Sequence, residues 1–300
     1  MKNQTEAYLY AIFTVLIWST VASAFKVSLR YLDYLQLLFY ASIVSIIILF
    51  IILLIRNKTF LIISFSKKEY LHSALLGFLN PFFYYIVLFK AYSLLPAQEA
   101  QPLNYTWPIM LVLLSIPLLH QRIKLKGILA IVISFTGVFI ISTQGNVLSF
   151  RFTNLKGALL ALSSAVIWAL FWIYNIKDKR DEIAKLFLNF VFGFIYILIA
   201  NIFFTKIIFP DIPGLLGVTY VGLFEMGITF VIWSKALILS ETTAKVSNFI
   251  YLVPFLSLIV IYFVVGEKIL ISTVIGLIFI VTGILIQQFK DFLRPTSSKI

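Results

Sequence analysis

The chain has 300 residues, of which 61% are hydrophobic and only 12% are charged. Soluble domains are about half apolar and one quarter charged, so this composition excludes a soluble globular protein and predicts a polytopic membrane protein. The formal net charge is +12, but the basic residues lie in short loops between apolar segments, which argues against a nucleic-acid partner. The lack of cysteine excludes disulfides, a cysteine nucleophile and cysteine-ligated metal sites.

A membrane-spanning helix needs about 20 predominantly apolar residues. Ten segments of this kind follow one another, joined by connections too short to hold a separate soluble domain. They are Ala7–Phe25, Tyr34–Ile55, Leu71–Phe89, Ala100–Leu119, Gly127–Phe150, Gly157–Ile176, Leu186–Thr205, Ile212–Ser234, Val246–Gly266 and Ile269–Phe289. Ala22-Ser23-Ala24 resembles a signal-peptide cleavage site, but Lys2 is the only basic residue before it, which favours a retained first helix. The predicted fold is an all-α integral membrane protein with ten transmembrane helices.

Loop charge predicts the orientation of these helices, because cytoplasmic loops are enriched in Lys and Arg. With a cytoplasmic N-terminus, 17 of the 24 basic residues lie inside and 7 lie outside. The outside residues are Lys26, Arg30, Lys90, Arg151, Lys156, Lys206 and Lys268. We therefore predict that both termini are cytoplasmic.

The sequence also repeats itself at an offset of 145 to 150 residues. Among the matching pairs are Trp18 with Trp168, Gly77 with Gly222, Lys90 with Lys235, Tyr105 with Tyr251, Pro108 with Pro254, and Gly137 with Gly283. Five helices per half is an odd number, so the two halves must have opposite orientations. We predict two inverted five-helix repeats, residues 1–150 and 151–300, an arrangement typical of secondary transporters with substrate near the midplane.

The second half also carries a family resemblance. The segment Ala236–Ile286 contains Pro254, Gly266-Glu267, Gly276 and Gly283 at spacings that resemble the drug/metabolite transporter superfamily, in its ten-helix EamA-type branch. The first half departs from this pattern, with Gln121 where the second half has Glu267. The segment AQPLNYTWP, Ala100–Pro108, resembles the aromatic and neutral amino-acid exporters of that branch. The resemblance implies an inner-membrane exporter of small metabolites that works by alternating access.

Two hairpins, Ala91–Pro108 and Ala236–Pro254, concentrate polar residues that are costly at membrane depth unless they face other helices or water. Buried Trp and Tyr also prefer a polar partner, so they are better site candidates than the 30 phenylalanines. Packing is the alternative interpretation of each aromatic. The predicted substrate-binding residues are Trp18, Tyr84, Tyr85, Asn104, Tyr105, Trp107, Trp168, Trp172, Glu225 and Tyr251. Of these, Tyr105, Trp107 and Trp168 are the pocket residues that the resemblance implies.

Glu225 is the acidic residue nearest the middle of a predicted helix, where an ionised carboxylate is costly unless it is solvated or paired. Three interpretations are open: a proton-coupling site, a contact to a substrate amine, or a protonated group that fixes helix packing. Lys90 and Lys235 are predicted gating residues that pair with Glu99 and Glu241 when their side closes. The alternative is snorkelling at a helix end.

The predicted function is a proton- or gradient-driven secondary transporter that exports amino acids or similar small zwitterions. Its predicted partners are a small-molecule substrate, membrane lipid and protons as the coupling ion; no nucleic acid, cofactor or metal is expected, and the oligomeric state is not indicated. His72 and His120 are isolated near helix ends, unlike metal ligands. A nucleotide-sugar or sugar-phosphate antiporter is the alternative, disfavoured by the few basic residues at mid-depth. A lipid-linked transferase is a remote alternative, because the acidic metal-binding motifs of such enzymes are missing.

Overall fold

The computed structural model describes residues 3–119, 125–146, 148, 153–241, 246 and 248–288, and every regular element within these ranges is helical. Within the described ranges, six helical spans are long and apolar enough to cross a membrane. They are Gln4–Ser28, Tyr34–Ile55, Lys67–Leu94, Leu155–Asn175, Glu182–Phe204 and Ile212–Leu239. Three shorter apolar helices cover Gly127–Ser142, Phe249–Val265 and Ile271–Ile286. The chain is therefore a helical, multi-pass membrane protein.

The helices are numbered in chain order. The first half contains α1 (Gln4–Ser28), α2 (Tyr34–Ile55), α3 (Phe60–Ser64), α4 (Lys67–Gly77), α5 (Tyr84–Leu94), α6 (Ala97–Asn104), α7 (Trp107–Leu119) and α8 (Leu125–Ser142). The second half contains α9 (Leu155–Lys177), α10 (Glu182–Phe204), α11 (Ile212–Tyr220), α12 (Ile228–Leu239), α13 (Val253–Val260) and α14 (Ile271–Gln288). Short π-helical segments cover Phe78–Phe83, Val221–Glu225 and Ile261–Val265, and a 3₁₀ turn covers Asn248–Leu252.

Capping side chains determine where several helices begin. The Asp181 carboxylate accepts hydrogen bonds from the backbone N–H groups of Ile183 and Ala184, both at 3.1 Å, so α10 begins at Glu182. Ser66 and Glu69 form a reciprocal capping box that starts α4 at Lys67. The segments predicted from apolar runs began later, at Leu186 for α10 and at Leu71 for α4. The polar first turn of each helix, which the cap stabilises, is not part of an apolar run.

Two further predicted segments differ from the structure, one at its end and one at its centre. The fifth was predicted to reach Phe150, but α8 ends at Ser142, because Gln144 and Gly145 take left-handed conformations with φ of 50° and 83°. The fourth, Ala100–Leu119, is two helices, α6 and α7, separated by a turn. Pro108 lies in the first turn of α7, where its missing N–H costs nothing.

Glycines allow close packing of α8 against α14. A Cβ atom on Gly137 would lie 2.3 Å from the carbonyl oxygen of Gly276, and one on Gly283 would lie 2.5 Å from that of Ala130. Small residues at such contacts let helix backbones approach closely in a membrane. The remaining contacts place α1, α5, α6, α9 and α12 around the centre of the molecule, where α5 packs on α9 and α1 packs on α12 and α13.

Candidate substrate site

A central cavity of about 410 Å³ lies between these helices. All five tryptophans of the chain are in its wall: Trp18, Trp107, Trp168, Trp172 and Trp233. The other aromatic members are Phe25, Tyr84, Tyr92, Tyr105, Phe230 and Tyr251, and the polar members include Gln101, Asn104 and Glu225. An apolar, aromatic cavity with a few convergent polar groups is typical of a small-molecule site.

The aromatic wall is held together by ring contacts centred on Trp168. Its ring stacks on Tyr84 with 4.6 Å between centroids and lies 5.9 Å from both Trp172 and Phe230. On the opposite side, Trp18 lies 5.7 Å from Trp233. Aromatic pairs at these distances stabilise one another beyond their buried area.

Glu225 lies where a membrane-spanning helix is broken. It ends the π-helical segment Val221–Glu225, and the helix is interrupted at Gly227, which has φ of −119° and ψ of −97°. The hydroxyl of Ser45 donates to the carbonyl oxygen of Met226 at 2.7 Å, which satisfies one acceptor that the break leaves without an intrahelical partner. Such breaks in transporters place polar groups at membrane depth.

The carboxylate of Glu225 is half-buried and faces the cavity. Its Oε1 accepts a hydrogen bond from the hydroxyl of Tyr85 at 3.0 Å, and its Oε2 has no hydrogen-bond partner among the described residues. Tyr85 is fully buried behind the wall and also contacts Tyr84, with 4.7 Å between ring centroids. The tyrosine therefore orients one carboxylate oxygen and leaves the other for a ligand.

Two buried amides connect α6 to its neighbours beside the cavity. Asn104 donates from Nδ2 to the hydroxyl of Ser164 at 2.9 Å and accepts from the hydroxyl of Tyr84 at 3.4 Å. Gln101 donates from Nε2 to the hydroxyl of Ser257 at 2.7 Å, whereas its Oε1 has no partner among the described residues. These bonds hold α6 against α9 and α13 and leave one buried acceptor at the cavity wall.

The two ends of the cavity differ in exposure. At one end, called the closed end, Phe25, Leu88 and Tyr92 are each no more than 3% exposed. At the other, called the open end, Trp172 and Leu237 are partly exposed. The described wall residues are therefore more deeply buried at the closed end than at the open end.

Polar contacts join the first turn of α6 to the segment before α14 at the closed end. The carboxylate of Glu267 accepts from the backbone N–H groups of Ala97 and Gln98, at 2.7 and 3.1 Å, and so caps α6. In return, Gln98 donates from Nε2 to the carbonyl oxygen of Lys268 at 2.9 Å and accepts from the N–H of Leu270 at 2.9 Å. We call this pair, Gln98 and Glu267, the reciprocal cap.

Comparison with known sequences identifies the protein family. The sequence profile described as "EamA-like transporter family" matches residues 5–143 and 155–287, which is most of the chain. The chain belongs to the EamA-like transporter family. This confirms the resemblance expected from the Ala236–Ile286 segment, and it confirms the expectation of a transporter instead of an enzyme.

Several relatives of this EamA-family transporter are themselves described as transporters. An uncharacterized transporter of Clostridium kluyveri is 30% identical over 183 residues, 58% of each chain, so less than two thirds of that relative is covered. The uncharacterized transporter YvbV of Bacillus subtilis is 26% identical over 74% of this chain and 72% of its own length. The aromatic amino acid exporter YddG of Ancylobacter novellus is 27% identical over 51% of this chain and 53% of its own.

A solved crystal structure has the same fold. It matches with a TM-score of 0.65 and 19% identity, over 97% of this chain and 100% of the other. At this identity the match supports the fold of this EamA-family transporter and carries no information about its substrate.

The structure brings nine of the ten predicted substrate residues into the cavity wall. They are Trp18, Tyr84, Asn104, Tyr105, Trp107, Trp168, Trp172, Glu225 and Tyr251. The tenth, Tyr85, lies behind the wall and contacts Glu225. The placement agrees with the predicted site, and the role of each residue stays a prediction.

The predicted gating pairs are not formed in this conformation. The ammonium group of Lys90 lies over the ring of Tyr34, 4.7 Å from its centroid. Its predicted partner Glu99 instead accepts from the Nε2 of Gln144 at 2.8 Å. Since each pair was expected only when its side closes, the gating roles stay a prediction.

At the other side, the ammonium group of Lys235 contacts the hydroxyl of Tyr10 at 2.6 Å instead of Glu241. The backbone N–H of Glu241 donates to the Oε1 of Gln4 at 2.9 Å, which joins the end of α12 to the start of α1. The Nε2 of His72 lies 3.8 Å from Asp178, His120 is outside the described residues, and the described residues contain no group of three candidate metal ligands.

Five aromatic or polar wall residues were not predicted from the sequence: Phe25, Tyr92, Gln101, Phe230 and Trp233. Trp233 could have been predicted, because tryptophan is rare here and the other four tryptophans were all predicted. Gln101 could also have been predicted, since it lies in the polar hairpin. The two phenylalanines could not, because nothing in an apolar sequence distinguishes them from the other phenylalanines among the 30.

Proposed function

We propose that this protein is a secondary active transporter that exports amino acids or similar small metabolites by alternating access. The observation that carries the proposal is the central cavity with its five tryptophans and Glu225, more deeply buried at one end than at the other. The similarity to an aromatic amino acid exporter supports an aromatic or apolar amino acid as the first candidate substrate.

The proposed architecture has ten membrane crossings arranged as two inverted repeats, residues 1–150 and 151–300. Matching helix contacts support it: α5 with α9 corresponds to α1 with α12, and α4 with α10 corresponds to α11 with α2. The helix breaks of the first half also correspond to those of the second. Asn80 has a non-helical conformation within Phe78–Phe83, and its repeat equivalent is Glu225, beside the break at Gly227.

We further propose an inner-membrane location with both termini cytoplasmic. Under the loop-charge orientation, the closed end faces outward and the open end faces the cytoplasm, so the described conformation is ready to accept a substrate from inside the cell. Export then requires the reciprocal cap to open and the cytoplasmic end to close, in line with rocking of one half against the other.

Glu225 is the proposed coupling residue. A carboxylate at membrane depth, accessible from each side in turn, can bind a proton on one side and release it on the other. The test is Glu225→Gln in proteoliposomes. Coupling predicts that substrate exchange at saturating substrate survives while pH-driven accumulation is lost, and accumulation with unchanged pH dependence would contradict it. Glu6→Gln, in the exposed first turn of α1, is the matched control.

The second candidate is a nucleotide-sugar or sugar-phosphate antiporter. A phosphate-bearing substrate needs cations, and none of the described residues in the cavity wall is basic. The deciding experiment is uptake into proteoliposomes of a panel of amino acids and nucleotide sugars under an imposed pH gradient. Saturable uptake of an amino acid supports the proposal, and uptake of nucleotide sugars alone refutes the amino-acid assignment.

A further inference from the structure

The described part of the cavity wall contains one charged side chain, Glu225. Lysines on three of the surrounding helices are directed to other partners. Lys26 donates to backbone carbonyl groups of α5 and the loop after it, Lys90 lies over Tyr34, and Lys235 contacts Tyr10. The interior as described is therefore negative, with no counter-charge for an anionic group.

The polar groups of the cavity wall also favour a ligand that donates hydrogen bonds. The amide of Gln101 donates to the hydroxyl of Ser257, and the hydroxyl of Tyr85 donates to Glu225 itself. Two acceptors have no partner among the described residues: Oε2 of Glu225, and Oε1 of Gln101, whose side chain is 3% exposed. A buried acceptor without a donor is destabilising, so a ligand that supplies N–H groups is favoured here.

The aromatic wall adjoins this carboxylate. Tyr84 lies beside Tyr85, which holds Glu225, and Trp168 stacks on Tyr84. A cation within about 6 Å of an aromatic face is attracted by the ring, most strongly by tryptophan. The same cavity therefore offers a carboxylate, aromatic faces and spare acceptors to a single ammonium group.

We propose that the group recognised in this cavity is a protonated amine, which binds Glu225 while an apolar or aromatic body lies between the tryptophans. The inference rests on the proposed transport function and narrows its substrate class. An α-carboxylate on the substrate is not required, because it would meet only neutral donors, such as indole N–H groups, and the like charge of Glu225. Amines that lack a carboxylate are thus substrates at least as good as the corresponding amino acids.

Three probes with the same phenyl ring separate the possibilities: 2-phenylethylamine, phenylalanine and 3-phenylpropionate. The purified full-length protein is titrated with each, and binding is followed by intrinsic fluorescence, since every tryptophan lies in the cavity wall. The amine should bind at least as tightly as phenylalanine, and the acid should bind at least about tenfold more weakly. An acid that binds as well as the amine, or phenylalanine binding without amine binding, overturns the proposal.

Two variants assign the effect to Glu225. Glu225→Gln should weaken binding of 2-phenylethylamine at least about tenfold, and Glu6→Gln should leave it unchanged. If Glu225→Gln is unstable, the comparison of the three probes in the wild-type protein still tests the proposal. Equal amine affinity in the wild type and Glu225→Gln would contradict the assignment.

Counterflow in proteoliposomes distinguishes failure of this inference from failure of the proposed function. If labelled phenylalanine is exchanged and 2-phenylethylamine neither binds nor competes, the transport function stands and the amine inference is wrong. If only nucleotide sugars are exchanged, both are wrong. Exchange of the amine, with competition by phenylalanine, supports both.

Discussion

Gln98 offers the sharpest test of how the closed end is sealed. Its side chain donates to the carbonyl oxygen of Lys268 and accepts from the N–H of Leu270 and the hydroxyl of Thr273, at 2.9 to 3.1 Å. Gln98→Ala removes these three hydrogen bonds. Each is worth roughly 1 kcal/mol, so the closed conformation should lose about 3 kcal/mol relative to an open one that lacks them. That difference shifts the balance between the two conformations about a hundredfold.

The assay uses the fact that the chain contains no cysteine. Ala22→Cys places a single thiol in the cavity wall near the closed end, at a residue that is 2% exposed. In right-side-out vesicles, a membrane-impermeant maleimide should label this thiol slowly in the otherwise unchanged protein. Labelling should become much faster when Gln98→Ala is added, because the outward path opens.

Gln36→Ala is the matched control. Gln36 is also buried, is predicted to face the same side of the membrane, and donates to the carbonyl oxygen of Lys206 at 2.6 Å, but it is not in the cavity wall. It should leave the labelling of Ala22→Cys unchanged. Equal labelling rates in the Gln98→Ala and Gln36→Ala backgrounds would refute the claim that the reciprocal cap seals the outward end.

Three further predictions concern the cavity, the topology and the loop before α10. Trp107→Ala should weaken substrate binding by up to about tenfold with nearly normal thermal stability, and a variant that only unfolds would make Trp107 a packing residue. A reporter fused after Lys299 should give a cytoplasmic signal, and a periplasmic signal would contradict both the orientation and the helix number. Burial raises the pKa of Asp178, but hydrogen bonds and the charge of Arg180 outweigh it, so this pKa lies below its ordinary value of 3.8. The Arg180–Asp178 ion pair therefore stabilises the fold above pH 3.8, and this stabilisation is lost as the pH falls through the lowered pKa of Asp178. Arg180→Gln should lower the melting temperature at pH 7 and have little effect in strong acid.

Much of the helix pattern could be predicted from the sequence because apolar length is a local property. The second segment was predicted as Tyr34–Ile55 and α2 has the same ends, since Asp33 gives a polar boundary and cap. The break beside Glu225 was not predicted. Its carbonyl groups are satisfied by Ser45 and Thr229, and the partner on α2 is distant in sequence.

The candidate site could also be predicted from the sequence only in part. Tryptophan and mid-helix carboxylate are rare in apolar sequence, so Trp18, Trp168 and Glu225 could be selected without a structure, and all three are in the wall. Which partner each lysine or carboxylate meets could not be predicted. Glu267 caps α6 from 170 residues away, a contact that only the packed helices bring about.

The most direct test of the central claim is counterflow of labelled phenylalanine in proteoliposomes by two single-aromatic variants. Trp168→Ala removes the ring at the centre of the cavity wall, and Phe203→Ala removes one that is 76% exposed on the outside of α10. If substrate passes through the cavity, Trp168→Ala loses most of its counterflow while Phe203→Ala retains it, with both variants folded. Full counterflow in folded Trp168→Ala would show that the cavity is not the transport site.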